Sequence, residues 1–159
     1  ISSMLGDGHQ WQVSIRYSEE LPEALETAGG IRQALPLLGD QPFLVINGDI
    51  WCEHPLTPPT LASVTLAHLV LVPNPAHHPT GDFSLTGSRI ENERQLTFSG
   101  IGWYRPELFA DLPPGPAPLG PLLRKAIDDK KVSGELYDGC WMDIGTPERL
   151  QRLEAYLSA

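Results

Sequence analysis

Two aspartates in this chain stand where an apolar run gives way to turn residues. Asp49 closes Phe43-Leu44-Val45-Ile46-Asn47-Gly48-Asp49, and Asp143 lies in Trp141-Met142-Asp143-Ile144-Gly145-Thr146-Pro147. In an open α/β sheet, ligands gather at the carboxyl ends of the strands, so a carboxylate there faces the ligand crevice. Gly48 removes a side chain beside Asp49 and lets a ligand approach the backbone closely. Two aspartates from different strand ends can share one Mg2+, a hard cation that takes oxygen ligands and keeps substrate phosphates in its shell. That chemistry is phosphate transfer, with the ion bridging phosphate oxygens and offsetting charge in the transition state. Each aspartate also has a plainer reading. Asn-Gly-Asp closes ordinary turns, and Asp143 is also what a surface carboxylate near a capping turn looks like. The pair is more persuasive than either member.

Glu26-Thr27-Ala28-Gly29-Gly30 offers backbone N–H donors and a hydroxyl at a helix start, which suits a nucleobase edge, a ribose or a phosphate. It has neither GxGxxG nor the lysine of a P-loop, and a plain helix cap accounts for it equally well. His77 and His78 read as a solvent-facing loop pair, because neighbours on an extended chain point apart and no third metal ligand is near. His9, His54 and His68 are scattered and read the same way. Cys52 and Cys140 are too few for a disulfide framework or a zinc spacing. They read as reduced thiols of a cytoplasmic protein. Trp103 and Tyr104 read as core, whereas Trp141, beside Asp143, stays open between core and site.

The elements that must hold these residues follow from periodicity. Gln12 to Ser18 alternates apolar with polar and predicts a strand. Ile31, Ala34, Leu35 and Leu38 form a helical stripe over Thr27–Leu38, ended by Gly39-Asp40. Phe43–Ile46 and Leu66–Val72 are unbroken apolar runs, the pattern of strands buried on both faces. Phe83–Ile90 and Gln95–Tyr104 predict two further strands joined by a polar turn at Glu91–Arg94. Leu122, Leu123, Ala126 and Ile127 mark a helix after a proline-rich loop at Leu112–Pro118. Thr146 caps a last helix with Pro147 at its first position, and Leu150, Leu153 and Leu157 supply its buried face. Strand, helix and strand in that order predict a parallel or mixed sheet covered by helices.

Length and charge bound the partners. The chain has 159 residues, 41% hydrophobic and 19% charged, with 11 basic against 20 acidic side chains and a formal charge of −9. That suits one domain with a sizeable core. It argues against nucleic acid or an anionic membrane as the main partner, since both need a basic face. No apolar stretch is long enough to span a bilayer.

Read together, four segments resemble the sugar-phosphate nucleotidyltransferases, which make nucleotide sugars and pyrophosphate. They are Leu25-Glu26-Thr27-Ala28-Gly29-Gly30-Ile31, Phe43 to Asp49, Thr97-Phe98-Ser99-Gly100-Ile101-Gly102, and Trp141 to Pro147. His68 to Phe83 and Lys131-Val132-Ser133-Gly134-Glu135 resemble one branch in particular, the bacterial N-acetylmuramate α-1-phosphate uridylyltransferases of cell-wall recycling. The resemblance covers essentially the whole chain, in order.

It implies an α/β fold of the nucleotide-diphospho-sugar transferase type: a Rossmann-like, mostly parallel mixed sheet with helices on both faces. Asp49 and Asp143 match the family's Mg2+-binding, catalytic aspartates. Thr27, Ala28, Gly29, Asn47 and Gly48 match nucleotide-binding positions, and Asp82, Gly100 and Glu135 match positions near the sugar phosphate. The implied reaction is attack of a sugar 1-phosphate on the α-phosphorus of UTP, with pyrophosphate leaving. The partners are then a nucleoside triphosphate and a sugar 1-phosphate, in peptidoglycan recycling. Glucose 1-phosphate or mannose 1-phosphate as acceptor, or a non-catalytic nucleotide-sugar-binding domain, are the alternatives. The family's opening strand, with its glycine-rich loop bearing an arginine and then a lysine, has no counterpart before Gln12. Residues 1–159 are therefore expected to be a single nucleotidyltransferase domain lacking its N-terminal part, inactive alone.

Overall fold

A computed structural model describes residues 1–158. In chain order its elements are α1 (Ser2–Leu5), a 3-10 turn, α2 (Glu26–Leu38), β1 (Phe43–Ile46), β2 (Ile50–Cys52), β3 (Ala67–Val72), β4 (Phe83–Thr86) and β5 (Arg89–Tyr104). A second 3-10 turn, α3 (Leu119–Asp128), β6 (Val132–Leu136), β7 (Trp141–Asp143) and α4 (Pro147–Leu157) complete it.

The main sheet is built on β5. β1, β3 and β4 all pair with it antiparallel, and β6 joins β3 in parallel, giving the order β1-β5-β3-β6 with β4 alongside β5. Since β5 alone runs against the others, β1, β3, β4 and β6 share one direction. The sheet is mixed, as predicted, with β3–β6 its parallel pairing. Alternation along β3 divides the core. Ala67, Leu69 and Leu71 point to the layer formed by α2 and α3, where Ile31, Leu123 and Ile127 are buried against them. Val70 points the other way, with Ile101 and Trp103 of β5, under Ile50, Cys52, Leu56 and Tyr137. That second face is covered first by a separate two-stranded ribbon, β2 paired antiparallel with β7, and α4 packs on β7.

One irregularity interrupts the pairing of β3 with β5. Leu69 pairs with Gly102 but Leu71 pairs with Phe98, so two residues of β3 span four of β5. The two extra residues form a bulge around Gly100, whose φ of +81° is left-handed and favours glycine.

Several expectations are corrected. Residues 12–18 form no strand. Val13 and Ile15 instead close on Gly8 and Asp7 through backbone bonds, and alternation without a partner edge makes no strand. β1 is half-buried, not sealed on both faces, and among the described residues it pairs along one edge only. The turn before β5 lies at Gly87-Ser88, where Gly87 has φ +63°, and Glu91–Arg94 continues the strand. In α4 only Leu153 is buried; Leu150 and Leu157 are exposed. Thr146 does cap this helix, its hydroxyl accepting from Arg149 N at 3.3 Å.

The start of α2 is fastened to the loop before α3. Ala28 N and Gly29 N both donate to Ala117 O, at 3.0 and 3.1 Å. A Cβ on Gly29 would stand 2.5 Å from Gly115 O and 3.1 Å from Ala117 N, both backbone atoms that cannot swing aside. Gly29→Ala is therefore expected to cost about 1–3 kcal/mol of stability, measurable as a lowered urea midpoint.

Candidate active site

The ribbon decides where the two aspartates meet. β2 and β7 pair Ile50 with Asp143, and Ile144 N donates to Asp49 O at 2.8 Å. Both carboxylates converge over Gly145: a Cβ there would lie 3.1 Å from Asp49 Oδ2 and 3.2 Å from Asp143 Oδ1. Gly145 N donates to Asp143 Oδ1 at 2.9 Å. Asp143 Oδ2 accepts from Arg149 Nη1 at 2.9 Å and lies 3.1 Å from His77 Nε2. Asp49 is exposed, and its carboxylate has no hydrogen bond or ion pair among the described residues. No cluster of three or more histidine, cysteine or acidic residues able to hold a metal ion exists among the described residues. Two converging carboxylates with an open side still fit Mg2+, which commonly takes one or two protein carboxylates and fills its shell with phosphate and water.

These residues line a cleft of about 410 Å3 that also contains Asn47, Gly100 and Trp141. A second cleft, of about 490 Å3, is lined by Thr27, Asp82, Phe83, Leu119 and Arg124. Asn47 and Phe98 line both, so the two are contiguous. The bulge builds the junction. Asn47 N donates to Gly100 O at 2.9 Å, and a Cβ on Gly100 would stand 2.8 Å from the Asn47 amide. Trp141 Nε1 donates to Ser99 O at 3.0 Å, tying the ribbon to the same bulge.

The structure thus brings Asp49, Asp143, Asn47, Gly100, Thr27 and Asp82 into one groove, with Gly48 exposed at its edge. Ala28 and Gly29 lie buried behind Thr27, and the N–H groups that the sequence offers to a phosphate are spent on Ala117 O. Asp82 lines the groove with both carboxylate oxygens engaged: Oδ2 accepts from Phe98 N at 2.9 Å, and Oδ1 lies 3.1 Å from His78 Nε2. Glu135 lines neither cleft. Its Oε1 lies 3.3 Å from His54 Nε2 and 3.6 Å from His68 Nε2.

His54, His68, His77 and His78 are therefore not idle solvent-facing side chains, whereas His9 is exposed as expected. His77 and His78 do point apart, and for that reason each reaches a different carboxylate. His54 accepts from Leu56 N through Nδ1, which leaves Nε2 to face Glu135. Burial holds the His68 imidazole below its ordinary pKa, against the pull of Glu135, and His54 adds to the lowering. Arg124 and Arg149 also escape the sequence reading. Arg124 donates only to neutral oxygens, of Asp82 and Asn92, and its guanidinium lies 5.0 Å over the Phe83 ring. Arg149 had a legible signal. It is a cation in the first turn of a helix, where the dipole disfavours positive charge unless a carboxylate answers it.

A mixed α/β sheet with two aspartates converging in an open groove fits a nucleotidyltransferase, and known proteins give the family. The chain belongs to the sugar-1-phosphate nucleotidyltransferases, of the uridylyltransferase type. Residues 1–78 match the nucleotidyl transferase family. The chain is 45% identical, over its whole length and 74% of the relative's, to N-acetylmuramate alpha-1-phosphate uridylyltransferase of Neisseria meningitidis. Over 89% of its length it is 34% identical to the same-named protein of Caulobacter vibrioides, spanning 65% of that relative. A mannose-1-phosphate guanyltransferase of Schizosaccharomyces pombe is 28% identical over 87% of the chain and 43% of its own length. In fold, the chain superposes with a TM-score of 0.79 on a Bacillus anthracis structure assigned as a glucose-1-phosphate thymidylyltransferase. That match has 21% identity and covers 98% of this chain and 70% of the other.

The His68 pocket has a measurable consequence. A ring whose folded pKa lies below its unfolded value takes up its proton more readily when the chain unfolds. Stability therefore falls as pH drops below about 6.5, towards the depressed folded value. Urea unfolding at pH 7.5 and 5.5 is expected to show a larger loss in the wild type than in His68→Gln. Equal losses would exclude His68 as the source.

Proposed function

We propose that the protein transfers a uridylyl group from UTP to N-acetylmuramate 1-phosphate, with Mg2+, in the recycling of peptidoglycan in the cytoplasm. The carrying observation is the convergence of Asp49 and Asp143 over Gly145, in a cleft continuous with the one lined by Thr27 and Asp82. The names of the two uridylyltransferase relatives support the substrates. A phosphate oxygen of the sugar 1-phosphate attacks the α-phosphorus of UTP, the bond to the β-phosphate bridging oxygen breaks, and pyrophosphate leaves. No covalent enzyme intermediate is needed; positioning and charge neutralisation carry the rate. Asp49 and Asp143 would hold Mg2+, which supplies charge neutralisation at the reacting phosphates.

The chain's own residues do the positioning. Thr27, Asn47 and Gly48 present a hydroxyl, an amide and open backbone to the nucleotide. Gly100 and Asp82 face the sugar phosphate, and Asp82 acts through the loop it fixes, since Phe98 N and His78 occupy its oxygens. Arg124 adds a guanidinium without a carboxylate partner to the same wall. Glu135, held by two imidazoles outside both clefts, is left out of this assignment.

Pyrophosphate release from UTP with N-acetylmuramate 1-phosphate, assayed on the full-length protein, tests this reading. Asp49→Ala is expected to lower the rate at least about a hundredfold. Near wild-type turnover would sink the metal assignment, and faster turnover of GTP with mannose 1-phosphate would replace the substrates.

A further inference from the structure

We propose that Arg149 is the resident counter-cation of Asp143, a guanidinium that a divalent metal ion must displace from that carboxylate before it binds across the two aspartates. This rests on the assignment of Asp49 and Asp143 as the metal-holding pair.

The geometry places the guanidinium on Asp143, beside the point over Gly145 on which the two carboxylates converge. Its Nη1 donates to Asp143 Oδ2 at 2.9 Å. Its Nη2 lies 3.5 Å from the point over Gly145 that is 3.1 Å from Asp49 Oδ2 and 3.2 Å from Asp143 Oδ1. The ion pair is half-buried, with 25% of the arginine side chain and 27% of the aspartate exposed, so water screens it only in part. Arg149 stands in the first turn of α4, after Thr146, Pro147 and Glu148. Positive charge is unfavourable there, so the guanidinium is stabilised by Asp143 and steered by Thr146 Oγ1, which accepts from Nε at 3.2 Å. His77 shares the same carboxylate oxygen.

A divalent ion on that oxygen and the guanidinium repel at contact distance and compete for one lone-pair region. Loading the metal therefore frees Arg149, which still lines the cleft and has up to five donors suited to phosphate oxygens. Arg149 then opposes metal binding yet assists turnover. A residue that merely props Asp143 in place would support both.

The test is titration of the full-length protein with Mn2+ alone, following free Mn2+ by electron paramagnetic resonance, beside pyrophosphate release at saturating metal. Arg149→Met is expected to bind Mn2+ about tenfold more tightly and to turn over about tenfold more slowly, while Arg149→Lys stays near wild type in Mn2+ affinity. Unchanged or weaker Mn2+ binding in a folded Arg149→Met protein overturns the exchange. If that variant does not fold, Arg149→Gln, which keeps a polar group for Thr146, is judged by the same criterion. A wild-type protein that binds no Mn2+ overturns the metal pair itself, and the exchange with it.

Discussion

Two carboxylates held side by side repel, and the surroundings of Asp49 and Asp143 are organised by that repulsion. The backbone sets it up: β2 and β7 are three residues each, and their antiparallel register puts the aspartates at the same end of the ribbon. Nothing in a short ribbon would keep like charges together without compensation. Here it comes from one backbone amide, one guanidinium and one imidazole, all gathered on Asp143, whereas Asp49 is left facing the cleft. The asymmetry gives the site a stabilised wall and an open one.

Around this centre, the fold works through carboxylates that are answered locally. His78 and Phe98 N hold Asp82, and through it the loop from Pro73 to Gly81 is tied to β5. His54 and His68 close on Glu135, clamping the segment after β2 over the second face of the sheet. In a chain with a formal charge of −9, imidazoles rather than lysines stand against Asp82, Glu135 and Asp143. An imidazole brings a compact ring that can be buried without a permanent charge.

Much of this was legible in the sequence. Apolar runs and caps located β1, β3, α2, α3 and α4, because burial and capping leave local marks. The turn chemistry of Asn47-Gly48-Asp49 and Gly145-Thr146-Pro147 marked the end of the sheet where the groove lies. What escaped depends on pairing across long separations. The strand predicted at Gln12–Ser18 had sound alternation and no partner edge. His77 looked idle because Asp143 lies 66 residues away, whereas the partner of His78, Asp82, is only four residues on. Ala28 and Gly29 looked available because Ala117, which takes their N–H groups, is remote in the chain.

The bulge in β5 adds two residues rather than one, and the parity has a consequence of its own. Side chains alternate along a strand, so an odd insertion would turn Ile101 and Trp103 away from the face they fill. An even insertion restores the phase: Phe98 and Tyr104 still face the helices, and Ile101 and Trp103 still face the ribbon. The groove-lining detour and the packing code are thus written in separate registers of one strand. Lengthening or shortening the detour by pairs would reshape the groove while leaving the interior's packing phase untouched.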